Sequence, residues 1–284
     1  MNKLLKLTSE LVLETEIQVN FTLIEVGAVD LGGEKEPFYE LLEYFPTAKI
    51  IGFELEKEVC AQLNDNSPEG IKYYPYALGK ANENRNLFIT NHPMCSSLYK
   101  PNEKLISLYQ NLEVAYLKSE TDIDTITLDY FVDKYDIGEV DFIKIDVQGA
   151  ELDVFQGAEK TLKNVLKVVS EVEFVPIYVN QPLFGDVSKF LDAKGLMFNK
   201  FLGLCGRTLK PIKIKNNINF PSQHFWSDAV FVKNIERIPE LNNEKLLKLS
   251  LLAATYGSPD ITYHCLRKFD EKNASSFAQK FLEK

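Results

Sequence analysis

Apolar positions fall into two patterns that repeat along the chain. Some segments are short, nearly continuous apolar runs rich in β-branched and aromatic residues, the composition of strands that are buried on both faces. Others carry apolar residues three and four positions apart, which is typical of helices with one buried face. The first pattern predicts strands at residues 21–28, 49–54, 71–78, 87–90, 140–147, 167–174, 197–204 and 225–233. The second predicts helices at residues 4–13, after Pro37, and at 58–63, 105–112, 127–132, 150–162 and 186–194.

The alternation of strands and helices predicts an α/β fold with a mainly parallel sheet. We expect the last two strands to form an antiparallel pair that closes the sheet. Beyond residue 236 the pattern is helical, with a turn at residues 257–259. The chain is therefore expected to divide into an N-terminal helical segment (1–20), a main domain (21–235) and a helical C-terminal extension (236–284), which docks either on the domain or on a second copy as a homodimer.

Acidic residues and one glycine stand where predicted strands end. Asp146 closes the run at 140–147, Glu54 closes the second strand, and Gly27 follows the first. Ligands of open α/β sheets bind outside the carboxyl ends of the strands, so these positions are expected to share one crevice. A carboxylate such as Glu54 can accept two hydrogen bonds from a ribose diol, and we favour this role over that of a solvated acid, with Glu56 as a less favoured alternative.

The run from Asp141 to Glu151 closely resembles the signature of FkbM-type methyltransferases. Further blocks of this family's pattern occur in the same order at residues 24–28, 52–54, 76–79, 96–99, 127–129 and 171–174. The resemblance, which spans about residues 21–233, implies a Rossmann-like class I methyltransferase fold. It implies a mainly parallel seven-stranded sheet flanked by helices, and S-adenosyl-L-methionine (SAM) as the methyl donor.

The resemblance also implies a set of SAM-binding positions. The family usually has a second glycine where this chain has Leu31, so the role of Asp30 is left open. Leu55 and Leu78 either sandwich the adenine or simply pack in the core, and Ser97 either reaches the SAM carboxylate or caps a turn. The cofactor-binding residues are predicted to be Glu25, Gly27, Ala28, Asp30, Glu54, Leu55, Ala77, Leu78, Ser97 and Asp146.

Methyl transfer to a hydroxyl requires removal of a proton, by a base or with the help of a metal ion. Asp146 is the predicted base, although an aspartate there could instead cap the helix that follows. Lys144 is expected beside it, and Glu173 on the next strand completes the predicted catalytic set. A divalent ion, Mg²⁺ or Mn²⁺, would be held by Asp146, Glu171 and Glu173. Tyr178, Asn180, Gln181 and Phe184 are candidates for lining the acceptor pocket.

The amino-acid composition limits the possible binding partners and the cellular location. The formal net charge is −9, which disfavours broad binding to nucleic acid or to an anionic membrane. The four cysteines, Cys60, Cys95, Cys205 and Cys265, form no CxxC pair, which favours reduced thiols. With no apparent signal peptide or long apolar run, a cytoplasmic location is expected.

The predicted function is O-methylation, with a small-molecule or glycan acceptor whose hydroxyl belongs to a sugar or another polyhydroxylated or glycosylated metabolite. One alternative is an NAD-dependent oxidoreductase on a similar sheet, although the expected GxGxxG motif is absent. The other is a non-catalytic SAM-binding interaction module that binds a partner through residues 240–284.

Overall fold

The computed structural model describes residues 2–27 and 36–283. Its strands are β1 (Thr22–Val26), β2 (Lys49–Phe53), β3 (Ile71–Tyr74), β4 (Ala77–Leu78), β5 (Glu83–Thr90), β6 (Leu117–Ile126), β7 (Phe142–Ile145), β8 (Lys167–Glu173), β9 (Leu196–Phe201), β10 (Cys205–Arg207) and β11 (Gln223–Lys233). Its α-helices are α1 (Lys3–Leu13), α2 (Leu41–Tyr44), α3 (Lys57–Asn66), α4 (Glu103–Ile106), α5 (Leu128–Lys134), α6 (Glu151–Gln156), α7 (Phe184–Ala193), α8 (Asn243–Thr255), α9 (Pro259–Asn273) and α10 (Phe277–Leu282). Short 3-10 helices occur at Pro37–Glu40, Pro93–Cys95, Glu113–Ala115, Thr161–Lys163 and Ile235–Glu240. None of the helices in these ranges combines the length and the apolar character needed to cross a membrane.

The main sheet has the strand order β3-β2-β1-β7-β8-β11, with β9 and β10 both pairing with β11. From β3 to β8 all neighbours are parallel, while β11 runs antiparallel to β8, β9 and β10. Because β9 and β10 pair with successive parts of β11, the sheet has seven strand positions. The predicted α/β fold, with a mainly parallel seven-stranded sheet and an antiparallel closing pair, is confirmed.

Each face of the sheet packs against its own layer of helices. Ile24, Ile143 and Val168 belong to one buried cluster together with residues of α5, α6 and α7. Leu23 and Phe142 point to the other face, where the core includes residues of α1, α8, α9 and α10. Adjacent residues of a strand point to opposite faces, so this division follows directly from the continuous apolar runs in the sequence.

The helix α8 lies in the core of the sheet domain. All its residues from Leu246 to Thr255 are buried, and the Lys248 ammonium lies 3.1 Å from both carboxylate oxygens of Asp141, just before β7. The fully buried Lys167 of β8 donates a 2.9 Å hydrogen bond to the carbonyl of Leu252. The C-terminal helices thus dock on the sheet, while the division of the chain at residues 20 and 235 remains a prediction.

Three elements differ from the sequence-based expectation. The strand predicted at 71–78 ends at Tyr74, because Pro75 interrupts it, and β4 instead joins a second sheet with the order β4-β6-β5. The sequence did not reveal β6, which is largely solvent-exposed and lacks an apolar run. The helix predicted at 105–112 is also wrong in its extent, since α4 ends at Ile106.

Candidate functional site

Strand register places the polar residues of the site on one face of the sheet. Glu25 of β1 lies opposite Lys144 of β7, and on β11 Asp228 lies opposite Glu171 of β8. Residues that are paired across strands share a face, and so do residues two apart on one strand. The helices of the α8 side cover the apolar first halves of these strands. The polar second halves therefore lie together at the strand ends, where we place the candidate crevice.

Gly27 brings the ends of β1 and β7 into direct contact. Its φ is +86°, and a Cβ at this position would lie 1.9 Å from the carbonyl oxygen of Asp146. Gly27 was predicted as a SAM-binding position, and the structure shows that the backbone of Asp146 occupies the place of its missing side chain. A larger residue would push the two strand ends apart. The predicted positions Ala28 and Asp30 lie outside the described residues.

Glu25 is buried on the floor of the crevice. The hydroxyl of Tyr39 donates a 2.6 Å hydrogen bond to Oε2 of Glu25 and lies 2.9 Å from the hydroxyl of Tyr73. Burial, followed by the charge of Glu25, raises the pKa of Tyr39 far above its ordinary value. Tyr39 is therefore a stable hydrogen-bond donor that fixes the orientation of Glu25.

Glu54 directly follows β2 and is only 6% exposed. Its Oε1 accepts a 2.8 Å hydrogen bond from the backbone N–H of Glu56. Burial raises the pKa of Glu54, while the backbone N–H groups of Glu56 and Leu55 act in the opposite direction. In the described part of the chain, no side-chain donor meets this carboxylate. It thus retains capacity to accept hydrogen bonds from a ligand.

Asp146 and Glu171 are joined by the side chain of Gln148. Nε2 of Gln148 donates 2.7 Å hydrogen bonds to Oδ1 of Asp146 and to Oε2 of Glu171. Carboxylate oxygens of Asp146, Glu151 and Glu171 lie within 4.8 Å of one another. These three acids could hold a cation, so that Glu151 replaces Glu173 in the predicted metal set, but an ion between Asp146 and Glu171 would displace the Gln148 amide.

Glu151 stabilises the loop after β7 by accepting its backbone N–H groups. Its Oε1 accepts hydrogen bonds from the N–H of Val147 at 2.9 Å and of Gly149 at 3.2 Å. The helix α6 begins at Glu151, after an Ala150 N-cap position without a side-chain cap. The alternative that Asp146 caps this helix is therefore wrong. Burial and the charge of Asp146 raise the pKa of Glu151 to about 7, against the two backbone hydrogen bonds.

The two acids of β8 also have raised pKa values. Burial raises the pKa of Glu171 and of Glu173 well above the ordinary value, and the charge of Asp146 adds to both shifts. Gln181 lies on the same side, only 6% exposed, and its Nε2 has no hydrogen-bond partner among the described residues. Its Oε1 accepts a 2.6 Å hydrogen bond from the backbone N–H of Tyr178.

Lys144 pairs with an acid that the sequence analysis did not select. Its Nζ lies 2.8 Å from Oδ1 of Asp228. Burial alone would lower the pKa of this ammonium, but the surrounding acids Asp146, Asp228 and Glu36 raise it above its ordinary value. Lys144 therefore remains a cation at the base of the crevice, and Asp146 is one of the charges that it stabilises.

The remaining predicted cofactor positions lie on loops and on the small sheet. Ser97 is buried, and its Oγ donates a 2.6 Å hydrogen bond to the carbonyl of Gln148 and accepts from the N–H of Tyr99. It thus ties its loop to the loop after β7. Ala77 and Leu78 form β4, and Leu78 belongs to the same buried cluster as Ile24. Leu55 is half-buried beside Glu54.

A sequence comparison decides between the possible uses of this crevice. The profile described as "Methyltransferase FkbM domain" matches residues 25–197, which is more than half of the 284-residue chain. The chain belongs to the FkbM methyltransferase family. It is therefore a SAM-dependent methyltransferase, and the match favours methyl transfer over the NAD-dependent alternative. Comparison with curated proteins finds no match.

Solved structures similar to this FkbM-family protein include other methyltransferases. A putative methyltransferase from Thermoplasma acidophilum is 10% identical, with a TM-score of 0.33, and the alignment covers 77% of this chain and 70% of that one. A SAM-dependent methyltransferase from Aquifex aeolicus is 11% identical, with a TM-score of 0.30 and coverages of 79% and 89%. The 23S rRNA methyltransferase ErmE is 9% identical, with a TM-score of 0.31 and coverages of 93% and 97%. The family assignment therefore rests on the sequence match and not on these TM-scores.

The described crevice of this FkbM methyltransferase fits SAM. Glu54 offers a buried carboxylate with no side-chain donor, which suits the two hydroxyls of a ribose. The ends of β1, β2 and β7 lie side by side in the sheet, so Gly27, Glu54 and Asp146 lie next to one another at the same edge. The site residues predicted for the cofactor stay predictions, since no ligand contact tests them.

Three residues of the FkbM-family site were missed. Asp228 could have been selected from the sequence, since it is the one charged residue in the predicted strand 225–233 before the terminal lysine of that strand. Glu36 lies near Lys144 and Asp146, and burial raises its pKa. Gln148 stood inside the recognised run, but its amide bridge depends on a backbone φ of +55° that sequence alone does not reveal.

Proposed function

We propose that this enzyme transfers a methyl group from SAM to a hydroxyl of a sugar or of another polyhydroxylated or glycosylated small molecule or glycan. The single observation that supports this most is the position of Asp146. Its carboxylate stands at the end of the central strand, half-buried, and is held by Gln148 on the same face as Glu25 and Lys144. A fixed carboxylate at this point is suited to accept a proton from an attacking hydroxyl.

SAM supplies an electrophilic methyl group on a sulfonium, so the protein has to bind the two substrates in line and to remove one proton. In this proposal Glu54 binds the ribose hydroxyls and Gly27 contributes backbone at the turn after β1. Asp146 receives the proton of the acceptor hydroxyl. Lys144 stabilises the charge of Asp146 before that transfer, and its pairing with Asp228 keeps it protonated.

The neighbouring carboxyl groups help to keep Asp146 available as a base. The pKa values of Glu171 and Glu173 are raised well above the ordinary value by burial and in part by the Asp146 charge. Ionised carboxyl groups this close together would repel one another, and the raised pKa values of the buried ones reduce that repulsion. Glu173 thus assists through its charge state, as a positioning residue for Asp146.

An acceptor with several hydroxyls fits the polar groups on the far side of the crevice. Nε2 of Gln181 is a buried donor without a partner among the described residues. The Tyr178 hydroxyl donates a 2.8 Å hydrogen bond to the carbonyl of Cys95 and lies 3.3 Å from Oε1 of Gln148. Amide and hydroxyl groups of this kind recognise sugar hydroxyls by hydrogen bonds.

A metal-assisted version of the same reaction is a second possibility, supported by the proximity of Asp146, Glu151 and Glu171. Three carboxylates suit Mg²⁺ or Mn²⁺. The Gln148 amide, however, places hydrogen-bond donors between Asp146 and Glu171, where an ion would need acceptors. We therefore favour the metal-free version. Loss of activity in excess EDTA, restored by Mg²⁺ or Mn²⁺ but not by Ca²⁺, would reverse this preference.

The proposed function is tested by incubating the protein with methyl-labelled SAM and matched acceptors. Sugars and polyols should become labelled on oxygen, as shown by the O-methyl resonance in NMR spectra, whereas the corresponding amino and thiol compounds should not. Labelling of nitrogen or sulfur instead would contradict the hydroxyl assignment. Binding of SAM without transfer to any hydroxylated acceptor would support the non-catalytic interaction module.

A further inference from the structure

Arg207, on strand β10, is an arginine without an acidic partner in the described ranges 2–27 and 36–283. Its guanidinium stacks over the ring of Trp226 at 4.9 Å. One of its N–H groups donates to the carbonyl of Gly206, but the buried Nε has no hydrogen-bond partner there. A guanidinium has five donors, and leaving a buried one unpaired is unfavourable. The group therefore has unused capacity to bind an acceptor.

The other arginines of the chain show that this situation is unusual for this protein. Arg85 pairs with Asp153, Arg237 with Glu240, and Arg267 with Glu271. With 41 acidic and 32 basic residues in the chain, a partner for Arg207 would be easy to provide. Instead, the guanidinium of Arg207 lies over an aromatic ring, and its Nε and Nη2 have no hydrogen-bond acceptor among the described residues.

Arg207 lies beside the proposed acceptor side of the crevice. Trp226, on which it stacks, is paired across the strands with Glu173, and therefore lies on the face that carries Glu171 and Asp228. Cys95 and Trp226 both pack against the hydrophobic cluster that contains Tyr178, which links the two regions. The carbonyl of Cys95 is bonded to the Tyr178 hydroxyl, which in turn contacts Gln148.

We propose that Arg207 binds a carboxylate or phosphate group of the methyl acceptor, so that the substrate class is an acidic sugar or a phosphorylated polyol. A planar guanidinium with a free edge matches either anion through two parallel hydrogen bonds. The proposal rests on the proposed function, since it names the acceptor of that site. It also explains how one end of the acceptor is anchored while a hydroxyl reaches Asp146.

The acidic residues nearby do not prevent an anion from binding. Asp146 and Glu171 both accept hydrogen bonds from the Gln148 amide, and Glu151 accepts two backbone N–H groups, so these acids already have donors of their own. Asp228 is already neutralised by Lys144 at 2.8 Å. Arg207 thus faces the acceptor with its own positive charge unopposed by an ion pair among the described residues.

Three sugars that differ in charge test this assignment: D-glucose, D-glucuronate and D-glucose 1-phosphate. Calorimetry measures their binding to the complex of the protein with S-adenosylhomocysteine (SAH), the product of methyl transfer from SAM. Trp226 is the only tryptophan in the chain, so its fluorescence reports where binding occurs. We expect at least one anionic sugar to bind about 10- to 100-fold more tightly than glucose and to change the Trp226 emission. The tighter of the two identifies carboxylate or phosphate as the recognised group.

The variant Arg207→Gln should lose this preference, and Arg207→Lys should retain only part of it, because an ammonium cannot form the two parallel bonds. Arg237→Gln, which removes an exposed arginine far along the chain, is the matched control and should bind as the wild type does. Equal binding of neutral and anionic sugars by the wild type, or an unchanged preference in Arg207→Gln, would overturn the proposal. If SAH itself does not bind the wild type, the proposed function fails; if SAH binds and only the anion preference is missing, the Arg207 assignment alone fails.

Discussion

Asp146 and Glu171 accept hydrogen bonds from the same amide nitrogen, Nε2 of Gln148, at 2.7 Å each. This contact joins the ends of two neighbouring parallel strands. Gln148 has a φ of +55°, a backbone conformation that is unfavourable by roughly 1–3 kcal/mol for a residue other than glycine. The fold maintains this strained residue at the point where the proposed base must be held in place.

Replacing Asp146 by Asn should separate catalysis from binding. The amide oxygen of Asn can still accept the hydrogen bond from Gln148, but it cannot take a proton from the acceptor. We expect turnover to fall by ~10²–10⁴, the usual range for a lost general base, with SAH affinity within about threefold of wild type by calorimetry. Asp192→Asn, on the exposed surface, should have no effect. A wild-type rate in Asp146→Asn would remove Asp146 from the mechanism.

Glu151 makes the stability of the protein depend on pH. Its pKa is about 7 in the folded protein and 4.5 as the ordinary value, so the folded state binds the extra proton between these limits. The contribution of Glu151 to the free energy of unfolding is fully present below about pH 4.5. It is lost as the pH rises towards 7, which lowers the free energy of unfolding by up to about 3 kcal/mol. Glu151→Gln keeps an oxygen for the N–H groups of Val147 and Gly149, and should lose less stability than wild type over this range in urea unfolding. Parallel curves for the two proteins would show that Glu151 is ionised in the folded state.

The ion pair of Lys248 and Asp141 tests whether α8 is part of the catalytic domain. Both side chains are buried, and removing one partner leaves the other charge uncompensated. Lys248→Met should reduce the free energy of unfolding by about 3–5 kcal/mol. Adding Asp141→Asn, which still accepts the N–H of Thr22, should restore a large part of that loss. Strictly additive effects in urea unfolding would mean that the pair is not coupled.

Gly27→Ala should disturb the contact between the first and central strands. A Cβ at Gly27 would lie 1.9 Å from the carbonyl oxygen of Asp146, and the φ of +86° is strained for alanine. We expect the free energy of unfolding to fall by more than about 2 kcal/mol and SAH affinity to fall with it. In Gly185→Ala, where no atom lies within 4 Å and the residue is in α7, stability should rise by up to about 1 kcal/mol. Similar behaviour of both variants would contradict the close contact.

The sequence was sufficient for the main sheet because its strands are buried on both faces. Phe142, Ile143 and Ile145 have almost no alternative to a central strand, and Asp146 then follows at its end. The strand β6 was not predictable in the same way, since its residues are mostly exposed and its apolar spacing is irregular. Partners that are distant in sequence, such as Lys144 with Asp228 and Lys248 with Asp141, depend on register and helix packing. A local pattern contains no information about them.

The central claim is that the strand ends form a SAM-binding crevice in which Glu54 binds the ribose. Calorimetric titration with SAH tests it most directly. We predict one binding site in the wild type, and affinity weaker by roughly 10- to 100-fold in Glu54→Gln, which loses the charge that strengthens these hydrogen bonds. Glu56→Gln, whose side chain is exposed, should bind SAH as the wild type does. No binding of SAH by the wild type, or equal affinities of the wild type and Glu54→Gln, would contradict the account.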